Sequence, residues 1–338
     1  MSVVSIVEGK EPGNMVCEAI ELLGGINKFI KSGDVVFIKP NVCGGVAGKR
    51  GSYTSPEVIS ALIELIKDKA SRIIVGEADS EMYDADRMLN ETGIRKAAED
   101  CGAEVVNLSK GEMVNKVVAD AYMLKELKIS KAVAEADKII CVPVAKAHSI
   151  TDVTLSLKCM FGILPEKHKA KYHKLGINMV IVDLVKAFPP HLSVVDATVG
   201  MEGEGPFKGN PIALNLIICG DNVVATDSVT VSVLGYKPAK IKHLELATKS
   251  GLGPVNLAGI DIRDKKGVKR EFKKVPIGMS FGSRITDIFR SVFPEKGLSK
   301  FFHHYYESAV DEWRKKETFM TQGDTHDHEN NKVFSYQK

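Results

Sequence analysis

The sequence predicts an α/β fold: a mostly parallel sheet flanked by helices, in one or two lobes, followed by a helical C-terminal extension. Three observations predict it. Short apolar runs alternate with helical patterns through most of the 338 residues, as strands joined by helical crossovers do. The composition, 44% hydrophobic and 26% charged, is that of a globular chain long enough to bury a sizeable core. Nearly every apolar run ends in a residue that can ionise or coordinate, which is where open α/β sheets place their ligands.

The strands expected are "DVVFIKP" (34–40), "SRIIVGEAD" (71–79), "AEVVNL" (103–108), "DKIICVPV" (137–144), "LSVVDAT" (192–198) and "LNLIICG" (214–220). The helices expected are "SPEVISALIELIKDKA" (55–70), "DADRMLNETGIRKAAEDCG" (84–102) and "INMVIVDLVKAFPP" (177–190). Ser55, Pro56 and Glu57 make a good helix start, with a cap, a proline at the first helical position and an early acid. Residues 1–270 are expected to form the α/β domain, with a lobe boundary near 176–190. Residues 271–317 are aromatic and basic and read as amphipathic helices broken near Pro294–Gly297; the polar stretch 318–338 reads as a disordered tail. The bland reading of the aromatic cluster 301–306, a helix folded back on the core, competes with a homodimer or protein-partner surface across 283–317.

A net charge of +3 is too small to imply nucleic acid, and the C-terminus has no base-reading motif. No apolar segment approaches the length that spans a bilayer. The start, "MSVVSIVEGKEPGN", lacks the layout of a signal peptide, so a cytoplasmic protein with no membrane or nucleic-acid partner is expected. The six cysteines (17, 43, 101, 141, 159 and 219) include no C-x-x-C pair. Reduced thiols are expected, and no intrinsic iron–sulfur cluster.

The residues beyond the strands carry the chemistry. Lys39, Asn41 and then Cys43 follow the first; Gly76, Glu77 and Asp79 the second; Lys146 and His148 the fourth; Asp196 and Glu202 the fifth; Asp221 and Asp227 the sixth. Each alone reads as a turn or cap residue, while several on one sheet edge are better explained by a site. The glycine-rich stretches 41–51 and 199–209 read equally as anion cradles or as ordinary connections. Neither is a nucleotide-binding fingerprint.

The segment "AKAHSITDVTLSLKCMFGILPEKHKAKYH" (145–173) is the densest in candidates. "SITD" (149–152) offers a cap for a helix running to about Phe161. Lys158, ten residues after His148, has apolar neighbours that would partly desolvate it and make its amine a usable nucleophile. The competing reading is a snorkelling lysine. His168, His173 and Cys159 satisfy no recognised metal-ligand spacing, and surface histidines compete as the explanation for His168 and His173. His326 and His328 in the tail carry little weight.

"VVFIKPN", the S-P-E helix, "ADKIICVPVAKAHSITDVTLSLKCMFG", "VVDATVGMEGEGPFKG" and "NVVATDSV…HLELATKSGLG" together resemble the uncharacterised family called domain of unknown function 362, over residues 34 to 260. The resemblance implies a fold and no established reaction. Members often add a ferredoxin-like segment with clustered cysteines, which this chain lacks. A more distant likeness follows from the order strand, histidine, lysine ten residues on, "ILP" and a further histidine, which is similar to the nickel-pincer lactate racemase family. That likeness implies a covalently attached pincer nucleotide on Lys158, nickel ligation by His173 or His168, and His148 as catalytic base. The chain departs in reading "TDVTLSLK" before the lysine, and in offering Glu77 and Asp79 where a second catalytic histidine is expected.

The function expected is an enzyme acting on a small anionic metabolite at the strand carboxyl ends, racemase- or isomerase-like or metal-dependent. Lys39, Asn41 and Lys146 would bind substrate, His148 would be the acid or base, and Lys158 the attachment point or electrophilic partner. A divalent metal would draw on His168, His173, Asp196, Glu202 and Asp227. The alternative is a non-catalytic binding or redox-partner protein using its C-terminal aromatic helices.

Overall fold

A computed structural model describes residues 1–42, 50–169, 171–172, 176–263 and 267–274. Residues 43–49 (Cys43 among them), His173 and everything from 275 onward, including the surface expected at 283–317 and the tail histidines, lie outside the described residues.

The chain opens with β1 (Ser2–Glu8) and α1 (Pro12–Leu22), followed by β2 (Val35–Pro40), α2 (Pro56–Ile66) and β3 (Arg72–Glu77). Next come α3 (Ala85–Glu91), α4 (Ile94–Asp100) and β4 (Glu104–Asn107), then the hairpin of β5 (Met113–Val117) and β6 (Glu126–Ser130), and α5 (Lys131–Ala134). The middle of the chain holds β7 (Lys138–Val142), β8 (Val144–His148), β9 (Asp152–Thr154), α6 (Ser156–Cys159) and α7 (Ile177–Ala187). It closes with β10 (Leu192–Glu202), β11 (Asn210–Gly220), α8 (Val223–Val233), α9 (Lys242–Lys249) and β12 (Ile260–Arg263).

The main sheet runs β12-β1-β11-β10-β7-β2-β3-β4. The β10–β7–β2–β3–β4 stretch is parallel, whereas β11 is antiparallel to both β10 and β1. Beyond Pro143, β8 continues the line of β7 along β10 and turns back through β9. The expected mostly parallel α/β sheet is therefore the fold.

Alternation along the strands builds two apolar layers, because successive side chains point to opposite faces. Val36, Ile38, Val75, Ile140 and Val194 join α1, α2, α3 and α4 in one cluster. Phe37, Ile74, Ile139, Cys141 and Ile218 join α6, α7, α8 and α9 in the other.

Two local readings are corrected. The helix expected across 84–102 is two helices, because Gly93 takes a left-handed φ of 77° and restarts the chain as α4. The helix expected from a cap at 149–152 begins only at Ser156: Asp152 has φ 66° and lies opposite His148 in the β8–β9 hairpin. In 199–209, β10 extends to Glu202, and a Cβ at Gly200 would come 2.6 Å from the Ala145 carbonyl oxygen. Its glycine there serves close strand packing.

Candidate functional site at the strand carboxyl ends

Two lysines on this edge have no exposed surface at all. An ammonium group is almost never buried without compensation. The Lys39 side chain, near the end of β2, donates from Nζ to Glu77 Oε2 at 2.7 Å and to the Pro40 carbonyl at 2.7 Å. Burial alone would lower its pKa, but the Glu77 carboxylate outweighs this and raises it above the ordinary lysine value. Lys146, on β8, donates to the Ser52 carbonyl at 2.8 Å. A Cβ at Gly162 would fall 2.8 Å from Lys39 Nζ, so the bare backbone there lets the ion pair form.

The segment entering α2 knits the next strands together. Thr54 exchanges backbone and hydroxyl hydrogen bonds with Asn41, and its hydroxyl donates to the Val142 carbonyl at 2.6 Å. Ser55 N–H donates to Asp196 Oδ2 at 2.7 Å, and Thr198 donates to Asp196 Oδ1 through its N–H and hydroxyl. Burial nevertheless holds the Asp196 carboxyl above its ordinary range. Asn41 is 5% exposed, and its Oδ1 has no hydrogen-bond partner among the described residues. A buried acceptor left without a donor calls for an explanation.

His148 closes β8 at 8% exposure. Its Nδ1 accepts from the Ile150 and Thr151 amides at 3.2 and 3.4 Å. With Nδ1 accepting, the neutral ring carries its proton on Nε2 and presents a donor.

Lys158 is half-buried, with Nζ 4.5 Å from the centre of the Phe161 ring. Its charge also reaches His243 of α9. That imidazole is wholly buried, 3.3 Å from Asn178 Oδ1 through Nδ1, with no hydrogen-bond partner for Nε2 among the described residues. Burial first, and Lys158 second, push its pKa down to about 3. His243 was not singled out in the sequence, since a lone histidine at a helix start carries no local signal.

The four expected metal ligands among the described residues, His168, Asp196, Glu202 and Asp227, form no group placed to hold a metal. His168 is exposed, 3.9 Å from Glu81. Glu202 accepts from the Lys273 amide at 2.8 Å. Asp227 accepts the Ser156 and Leu157 amides at 2.9 and 2.8 Å and caps α6. Each carboxylate is occupied with backbone donors, and among the described residues no group of three or more His, Cys, Asp or Glu is placed to hold a metal. His173 lies outside the described residues. The described residues therefore do not assemble a nickel centre with Lys158.

Against this geometry, a family model described as Domain of unknown function (DUF362) matches residues 36–232. The chain belongs to the DUF362 family. Thylakoid-associated protein sll1697 of Synechocystis sp. is 30% identical over 242 residues, which are 70% of this chain and 74% of that protein. The lactate racemase apoprotein from Thermoanaerobacterium thermosaccharolyticum matches in fold with a TM-score of 0.42 and 11% identity. The match covers 60% of this chain and 51% of the racemase, so this DUF362 chain spans about half that protein's length. A likeness of this degree bears on neither activity nor cofactor. No helix among the described residues is long and apolar enough to cross a membrane.

Proposed function

We propose that this DUF362 protein is an enzyme that binds a small anionic metabolite at the carboxyl ends of β2, β7 and β8. The observation that supports it best is the pair of wholly buried lysines, Lys39 and Lys146, together with the buried Asn41 amide oxygen, which has no hydrogen-bond partner among the described residues. The Lys39 charge is already met by Glu77, and Lys146 adds a further positive group in a low-dielectric setting, which favours an anion. The orphan acceptor asks for a donor on that same ligand, such as a hydroxyl or amino group. His148 Nε2–H would donate to the ligand as acid or hydrogen-bond partner, and Lys158 would serve from the α6 side.

The test is ligand-dependent thermal stabilisation of the full chain against a panel of carboxylates and phosphate monoesters, with and without a hydroxyl or amino group. At least one anion carrying such a donor is expected to raise the melting temperature. Asn41→Ala and Lys146→Met are expected to abolish that rise. If no anion stabilises the native chain, the reading is wrong.

A further inference from the structure

Cys141 and Cys159 form a buried pair of thiols that the proposed function leaves unused. Cys141 lies on β7 directly opposite Lys39 of β2. Cys159, at the end of α6, brings its Sγ to 3.5 Å from the Pro40 carbonyl oxygen and 3.9 Å from that of Lys39. The Cys141 thiol in turn donates to the Ser156 carbonyl at 3.5 Å, in the same helical turn as Cys159. Cys141 Sγ thus reaches the turn that carries Cys159, while Cys159 Sγ lies against the backbone of Lys39, the residue paired with Cys141 across β2 and β7, so the two thiols meet in one enclosed place. Neither is on the surface: Cys141 is 0% and Cys159 3% exposed.

Their surroundings differ in charge. Burial works to raise the Cys159 thiol, but the hydrogen bond from Cys141 and the ammonium charge of Lys39, helped by Lys146, bring it below the ordinary thiol value. Burial pushes Cys141 well up, so it keeps its proton. Glu77 and Asp227 are the acids that act on the pair, and both work against ionisation. One sulfur is thus suited to attack, with a protonated thiol beside it to complete a bond.

We propose that Cys141 and Cys159 are a modification site, closed to an intramolecular disulfide by hydrogen peroxide. The Cys159 thiolate attacks one peroxide oxygen, the O–O bond breaks, and the leaving hydroxide takes up a proton to become water. Cys159 is then a sulfenic acid. Cys141 attacks that sulfur: the S–S bond forms, the S–O bond breaks, and the departing hydroxide leaves as water with the Cys141 proton. Two thiols and one peroxide become one disulfide and two waters; the sulfurs lose two electrons and the peroxide gains them. Hydrogen peroxide, little larger than water, suits an enclosed pair better than a bulky disulfide does. The proposal stands on the thiols and is independent of what Lys39 and Lys146 bind.

The experiment treats the folded full-length chain with stoichiometric hydrogen peroxide, blocks remaining thiols under denaturing conditions, and maps tryptic peptides by mass. The expected product joins the Cys141 and Cys159 peptides with the loss of two hydrogens, about 2 Da, and a thiol reductant reverses it. The half-buried Cys17 and Cys101 are internal references. If they oxidise while Cys141 and Cys159 are recovered as blocked free thiols, the proposal is overturned. It is equally overturned if the cross-link forms only in urea. In Cys141→Ser treated with peroxide while folded and then denatured in the presence of dimedone, an adduct on Cys159 is expected, whereas its absence refutes the order of attack. The wild-type cross-link decides the pairing even where a variant fails to fold.

Discussion

Lys39 and Glu77 stand 2.7 Å apart with side chains 0% and 2% exposed. An ion pair so enclosed stabilises little relative to an apolar pair, but breaking one side leaves an uncompensated charge in the interior. Lys39→Met or Glu77→Gln alone is therefore expected to lose about 3–5 kcal/mol in urea unfolding. The double variant Lys39→Met with Glu77→Leu is expected to recover most of that loss. A double variant no better than the worse single one would contradict the account. Gly162 belongs to the same pair, because an alanine methyl there meets Lys39 Nζ and Glu77 Oε1. Gly162→Ala is expected to cost about 1–3 kcal/mol by overpacking, measured the same way. The residue types were legible in the sequence: Lys39, Asn41, Glu77, Lys146 and His148 all stand out as polar groups ending apolar runs. Which of them touch was not legible, because Lys39 and Glu77 are brought together by strand pairing across 38 positions.

At the scale of elements, α6 shows why local capping rules misplace a helix start. Its first two amide groups are received by Asp227 of α8, 71 and 70 residues away in sequence, not by a side chain in 149–152. Burial raises the Asp227 carboxyl to about 7, although the Leu157 and Ser156 amides favour its ionised form. A carboxyl whose folded pKa lies above the unfolded value of about 3.9 binds its proton more tightly when folded. Its contribution to stability is complete below pH ~4, declines as pH rises, and is lost once pH passes the folded value. The native chain is thus expected to lose stability between about pH 4 and 7 from this group. Asp227→Asn, which cannot ionise, is expected to show a flatter profile, and parallel profiles of midpoint against pH would count against the assignment. Asp183 of α7 does similar work for the β5–β6 connection, accepting the amides of Tyr122, Met123 and Leu124 at 2.7 to 2.9 Å while wholly buried. Asp183→Ala leaves those amides without their acceptor. It is expected to raise hydrogen exchange across 118–130 well above that of β2 and β7, and uniform exchange would refute the docking role.

At the scale of the whole molecule, the first strand matters out of proportion to its length. β1 lies between β11 and β12, pairing antiparallel with one and parallel with the other, so both ends of the chain's described fold meet on it. Deleting residues 1–8 uncovers the edge of β11 and detaches β12. Such an edge invites association, and the deletion is expected to lower the urea midpoint and to yield aggregates by light scattering. An unchanged midpoint with a monodisperse product would refute it. Neither this strand nor α8 and α9 was read from the sequence as an element. α8 shows why: its valines alternate with Thr, Asp and Ser on every face and it is buried along almost its whole length, so it lacks the one-sided stripe that marks a surface helix. By itself the sequence determined the parallel α/β architecture, six of the strands and the polar residues that finish them, because these rest on local periodicity and on hydrophobic burial. The tertiary structure decided that the carboxylates Asp196, Glu202 and Asp227 receive separate backbone donors, that His148 Nδ1 accepts from the Ile150 and Thr151 amides, and that two cysteines share one enclosed place beside Lys39. Those outcomes depend on pairings between residues far apart in the chain, and no local spacing encodes them.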